Sequence, residues 1–162
     1  MSAGRVVVKV GDLKIAGAGA TLVTVGVGSC VAIALYDREA RLGGLAHVLL
    51  PDPSNGRENA PPGRFASTAV AGLLRLMEEE GARRARMFAR LAGGASMFES
   101  LLSDGGRTLG MRNVSAARAA LERVSVQVTG EDVGGSHGRS IYFHLDDGRL
   151  VVSSVLFPDV VL

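Results

Sequence analysis

Between residues 65 and 80 the apolar positions Phe65, Ala69, Val70, Leu73, Leu74 and Met77 recur at the three-and-four spacing of one helix face, and Gly81 follows where a C-terminal cap belongs. A second stripe, Val114, Ala117, Ala120, Leu121 and Val124, predicts a helix over 113–123 with Asn113 at its cap. Elsewhere the apolar runs shorten to strand length. Residues 5–10, 21–25, 31–36, 44–49, 84–91, 124–129, 140–145 and 149–156 are predicted strands, and Asp146-Asp147-Gly148 is a hairpin turn between the last two. The proline-rich stretch 51–63 is a long surface loop. Strands that come in hairpins, with helices too few to alternate with them, predict an α+β fold. It is a single domain over 1–162, with mixed or antiparallel sheets packed together and two or three flanking helices.

One hairpin carries chemistry. With its turn centred on Asp37-Arg38-Glu39-Ala40, position 36 faces 41, 35 faces 42 and, by the same sum, Cys30 faces His47. Directly opposed residues in an antiparallel ladder have Cβ atoms about 4.5–5.5 Å apart on one face of the sheet. A thiol and an imidazole at that spacing can share a proton, the minimum for a Cys–His nucleophile. A one-residue slip would send the two side chains to opposite faces.

Cys30 is the single cysteine, so no internal disulfide can form, which fits a reducing, cytoplasmic setting. The 162-residue chain suffices for one buried core. No apolar run approaches the roughly 18 residues of a membrane span, and the N-terminus does not resemble a secretory signal. The net charge of +2 comes from arginines nearly balanced by carboxylates, without a basic tract, so nucleic acid is not implied. Arg83, Arg84, Arg86 and Arg90 are the densest basic cluster and read as a solvated face. His47, His137 and His144 stand in no cluster of ligand spacing, so neither a metal nor a cofactor is expected.

Taken alone, a cysteine among valines and alanines is most often a small buried hydrophobe, and His47 is equally well a core histidine satisfied by a carbonyl. Gly26, Gly28 and Ser29 before the thiol, and a histidine at the facing position, favour chemistry. Thr24 on the incoming strand can hydrogen-bond the far imidazole nitrogen, though threonine is common in strands for packing reasons. The run from Ala92 through Gly93, Gly94 and Ser96 to Phe98 lacks the Gly-Lys-Ser/Thr ending of a phosphate loop. Two readings stand for it: a tight turn, or a wall of the site where small residues admit substrate and Phe98 makes an apolar contact.

Several ordered motifs together resemble the chemoreceptor glutamine deamidases, the CheD family. They are Thr24-Val-Gly-Val-Gly-Ser-Cys30, Gly44-Leu-Ala-His47-Val-Leu-Leu-Pro51, Pro62-Gly-Arg-Phe-Ala-Ser-Thr-Ala-Val70, Ala92-Gly-Gly-Ala-Ser-Met-Phe98, Arg112-Asn113-Val114, and Gly134-Gly135 followed by Arg139-Ser140. The chain departs from the family pattern at Phe65, Ser67, Val133 and Ser136, none of which is Cys30, His47 or Thr24. The resemblance implies a catalytic triad of Cys30, His47 and Thr24, and a fold similar to the catalytic domains of glutamine-deamidating toxins. It also implies hydrolysis of receptor glutamines to glutamate through a thioester. Gly28, Ser29, Gly93, Gly94, Ser96 and Phe98 are the expected substrate contacts. The implied partners are chemoreceptor cytoplasmic domains and a CheC-type response-regulator phosphatase, for which the chain could instead act mainly as a regulatory partner. A plain structural domain with a buried cysteine is the remaining alternative.

Overall fold

A computed structural model describes residues 4–52, 60–96 and 106–162 of the chain. Ten strands and two α-helices follow one another among the described residues. The strands are β1 (Gly4–Val7), β2 (Leu13–Gly17), β3 (Ala20–Val27), β4 (Val31–Asp37), β5 (Leu42–Val48), β6 (Met87–Gly93), β7 (Gln127–Val133), β8 (Arg139–His144), β9 (Arg149–Ser153) and β10 (Val160–Val161). The helices are α1 (Ala66–Glu79), between β5 and β6, and α2 (Leu109–Arg123), between β6 and β7. One five-stranded sheet has the order β1-β3-β8-β9-β10 and the other β2-β5-β4-β6-β7. Both are mixed, because β1 runs parallel to β3 and β6 parallel to β7 while the remaining pairs are antiparallel. The α+β expectation holds.

The molecule has three layers, and β4 shows why. All seven of its residues are buried, as in a strand covered on both faces. Val31, Ile33 and Leu35 pack with Leu73, Met77, Ala117 and Leu121 of the helices. Ala32, Ala34 and Tyr36 face the other way, onto Leu22, Ile141, Phe143 and Val152 of the opposite sheet. Cys30 belongs to this second, inter-sheet cluster.

The helix ends follow their local chemistry. Gly81 adopts φ +103°, the N–H of Ala82 donates to Met77 O (3.0 Å) and that of Gly81 to Glu78 O (3.1 Å), which closes α1 with a Schellman cap. α2 starts four residues before the periodicity suggests. Thr108 is its cap, accepting the Met111 N–H at 3.2 Å, so Asn113 sits inside the first turns and is buried.

Two further expectations change. Residues 84–86 form a single 3₁₀ turn, not the start of a strand, because Arg86 is drawn back onto the buried Asp37 carboxylate at 2.9 Å. Arg90 is not part of a solvated face. It is 5% exposed, donates to Leu162 O at 2.9 Å and to Gly148 O, and lies over the rings of Phe88 and Phe143. The strand β2 was not visible in the chain's pattern. It is an edge strand held by pairing with β5, Leu13 facing Ala46.

The register of the β4–β5 hairpin differs from the expected one by two. Asp37 faces Leu42 and Ala32 faces His47. Asp37 ends the strand instead of opening the turn. Its carboxylate accepts the N–H groups of Glu39 (3.1 Å) and Ala40 (3.2 Å), and Arg41 closes the loop at φ +53°. Moving a hairpin loop by one residue changes each partner by two, so the face of every side chain is kept. Cys30 and His47 therefore share a face, as expected, but as diagonal neighbours.

Candidate active site

Three side chains face the space between the sheets, and two of them, His47 and Thr24, are in contact. His47 comes from β5 and is fully buried. Its backbone is held on the outer side by β2's approach, His47 N donating to Asp12 O (3.1 Å) and Gly11 N donating to His47 O (2.8 Å). Thr24 comes from β3 of the opposite sheet and is likewise fully buried. Its Oγ1 lies 2.7 Å from His47 Nδ1. Directly after Thr24 the pairing of β3 with β8 is interrupted, with Thr24 facing Ile141 and Val27 facing Arg139. One extra residue of β3 thus bulges out where the site begins, and Gly26, at φ +70°, lies in the bulge.

Thr24 Oγ1 also donates to Val8 O at 2.6 Å. A hydroxyl has one proton to give. With it directed at Val8, Thr24 can only accept from His47, so the imidazole carries its proton on Nδ1. Nε2 is then the bare nitrogen. It is buried and has no hydrogen-bond partner among the described residues. Burial also pushes the His47 pKa below its ordinary value near 6.5, since low-dielectric surroundings disfavour the imidazolium. The resting ring is a neutral base with its lone pair unused.

Cys30 ends the segment that carries the chain from β3 to β4, and the surrounding backbone holds that segment by its carbonyls. Gly94 N–H donates to Cys30 O (2.7 Å), Ala95 N–H to Gly28 O (2.9 Å) and Asn113 Nδ2 to Ser29 O (2.8 Å). Cys30 retains 8% of its surface. Desolvation raises its pKa above 9.0, countered in part by its own backbone N–H. A thiol here rests protonated and needs a base to become a nucleophile. His47, on the same face, presents an unprotonated ring nitrogen with no hydrogen-bond partner among the described residues.

The expected substrate contacts fall into three groups. Gly28 and Ser29 are half-buried beside the thiol. Gly93 and Gly94 are buried beneath it, where a Cβ on Gly93 would stand 2.4 Å from Cys30 O and one on Gly94 2.3 Å from Val114 Cγ2. Ser96 is half-buried, its Oγ 2.7 Å from Thr108 Oγ1 and its N–H on Gly135 O. Phe98 lies outside the described residues. Val8 and Asn113 contact the site and were not expected there. Val8 acts through a carbonyl, which no side-chain pattern could reveal. Asn113 did leave a signal: it lies four and eight residues before Ala117 and Leu121, a polar residue in line with a buried apolar stripe. Among the described residues no group of three or more His, Cys, Asp or Glu could hold a metal ion, and no described helix is long and apolar enough to cross a membrane.

The fold and site define a domain of two mixed sheets and two helices, with a thiol, an imidazole and a hydroxyl assembled between the sheets from both. The family described as CheD chemotactic sensory transduction matches residues 49–154. A protein of Symbiobacterium thermophilum is 43% identical over 91% of this chain and 91% of its own, and one of Archaeoglobus fulgidus 43% identical over 91% and 92%; both carry the name "Probable chemoreceptor glutamine deamidase CheD". "Chemoreceptor glutamine deamidase CheD" of Thermotoga maritima is 38% identical over 92% of this chain and 91% of its own. This chain belongs to the CheD family.

Proposed function

We propose that this protein hydrolyses the side-chain amide of specific chemoreceptor glutamines, giving glutamate and ammonia, with Cys30 as nucleophile, His47 as base and acid, and Thr24 as the residue that orients His47. The names carried by its relatives supply the reaction and the substrate class. The observation that carries the residue assignment is the proton count at Thr24. Its hydroxyl proton goes to Val8 O, so the imidazole on the thiol's face of the sheet presents an unprotonated Nε2.

The reaction would run in two halves. His47 Nε2 takes the thiol proton as Sγ attacks the amide carbon, forming the C–S bond and a tetrahedral oxyanion. The Cys30 N–H is the proposed backbone donor to that oxyanion. The imidazolium then gives its proton to the departing nitrogen, which leaves as ammonia and closes the thioester. A water, deprotonated by the same Nε2, attacks the thioester carbon, and the thiol leaves with the proton returned by His47. Glutamine and glutamate are nearly isosteric, so the receptor gains one negative charge and little else. Gly28, Ser29, Gly93, Gly94, Ser96 and Phe98 are the proposed substrate contacts, and the receptor's cytoplasmic segments the proposed substrate. A CheC-type phosphatase docking at the same opening would compete with those segments.

Incubation of receptor cytoplasmic fragments with wild type and with Cys30→Ala, followed by peptide mass mapping, tests the reading. Amide-to-acid conversion at discrete glutamines by the wild type alone is expected. Equal conversion by both proteins, or none by either, refutes it.

A further inference from the structure

β4 and β5 stop pairing at Val31–Val48. Beyond that pair the two strands part, Ser29 and Cys30 on one side and Leu49 on the other, with no ladder hydrogen bond between them. The gap is filled from the helical layer. Asn113 of α2, fully buried, places Nδ2 2.8 Å from Ser29 O and 3.2 Å from Leu49 O. An amide nitrogen has two protons, and two carbonyls take both. The orientation of the side chain is therefore fixed, since the reversed amide would face two carbonyls with a third oxygen. Among the described residues Asn113 Oδ1 is left buried without a partner, an unfavourable arrangement that is kept nonetheless.

We infer that Asn113 is a positioning residue for the Cys–His pair: one amide fixes the backbone immediately before Cys30 and two residues after His47, and so sets the separation of thiol and imidazole. It also sets a direction. The peptide bond is planar and trans, so the N–H of Cys30 points opposite to the Ser29 carbonyl. Drawing that carbonyl towards α2 turns the Cys30 N–H away from the helix. The amide's favourable effect on its own thiolate agrees with this orientation. Gly94 N–H holds Cys30 O from the β6 side, so the nucleophile is gripped on two flanks, and only Asn113 reaches the histidine's strand as well.

The inference deepens the proposed deamidase and rests on it for the turnover arm of its test, whereas the thiol arm stands without any substrate. Asn113→Leu keeps the approximate shape and removes both donors, and Asn113→Asp keeps the outline with at most one. Leu121→Ala, on the same helix and distant from the loop, serves as a control for lost stability. Native alkylation of Cys30 by iodoacetamide and deamidation of receptor fragments are measured well below each variant's melting temperature. Displacing a reacting group by about 1 Å costs on the order of 10²-fold. Asn113→Leu is thus expected to lower the alkylation rate and kcat together by about 10–10²-fold with KM little changed, and Asn113→Asp to fall between it and the wild type. Leu121→Ala should melt earlier yet react at the wild-type rate. Wild-type alkylation in either folded Asn113 variant, or an equal loss in Leu121→Ala, overturns the inference. If wild type deamidates nothing, the deamidase reading fails, and the alkylation rates still decide the role of Asn113.

Discussion

Thr24 and His47 belong to different sheets, and the 2.7 Å contact from Thr24 Oγ1 to His47 Nδ1 crosses the sandwich between them. The imidazole's protonation pattern is therefore set by a residue that reaches it only because the two sheets pack face to face. Losing this hydroxyl strands two buried groups, Nδ1–H and Val8 O, at about 1–3 kcal/mol. Thr24→Val should accordingly lower kcat by about 10–10²-fold, while Thr24→Ser, which keeps the hydroxyl, stays within a few-fold of wild type. Steady-state deamidation of both variants checks this.

The proposed activation of Cys30 by His47 is open to a substrate-free measurement. With its pKa raised by burial, the thiol has little thiolate at neutral pH unless the imidazole accepts the proton. His47→Ala should slow alkylation of native Cys30 by about 10²-fold or more, the low end of general-base contributions. Equal rates in the two proteins would show the thiol to be unactivated.

The buried imidazole also fixes a pH dependence of stability. The folded pKa of His47 lies below the unfolded value near 6.5, so below that pH the unfolded chain binds the extra proton. This contribution is complete above about pH 6.5 and is lost as pH falls from there towards the folded pKa. Urea midpoints recorded from pH 8 to pH 5 should fall in wild type, and the fall should be shallower in His47→Gln.

Gly93 is needed for a close approach as well as for its backbone angle. It has φ +113°, and a Cβ there would sit 2.4 Å from Cys30 O and 2.5 Å from Val27 Cγ1. Gly93→Ala should cost at least about 1–3 kcal/mol from backbone strain alone, and should also reduce deamidation, because relief of the overlap moves Cys30. Thermal melts together with alkylation rates test both halves.

Arg90 provides the opposite case, a buried charge with no part in the site. Its guanidinium bonds Gly148 O and Leu162 O between two aromatic rings, and hydrogen bonds to a charged group contribute about 1.5–3 kcal/mol each. Arg90→Met should lower the unfolding free energy by about 2–4 kcal/mol and leave the alkylation rate of Cys30 in the folded protein unchanged.

How far the chain could be read depended on how local the cause was. Helix α1 and its Gly81 cap were legible, because a stripe of large apolar residues and one glycine act over short range. Strand β2 was not, because Leu13–Gly17 owes its conformation to β5 more than to its own residues. Arg90 looked like a surface residue. Its carbonyl partners come from 58 and 72 positions along the chain, and backbone acceptors leave no mark in a sequence.

The sequence by itself determined that Cys30 and His47 share a face, because strand parity survives a hairpin loop that moves by one residue, as this one does at Asp37. It also determined the chemical types available, one thiol and one well-placed imidazole. Only the tertiary structure decided which nitrogen is left unprotonated, since that depends on the opposite sheet delivering Thr24 with its proton already given to Val8. It likewise decided that Asn113 would join the two strands instead of capping a helix. Alternation along a strand is a property of the backbone and travels with the chain, whereas the partner of a buried polar atom is chosen by packing between layers, and that choice exists only after folding.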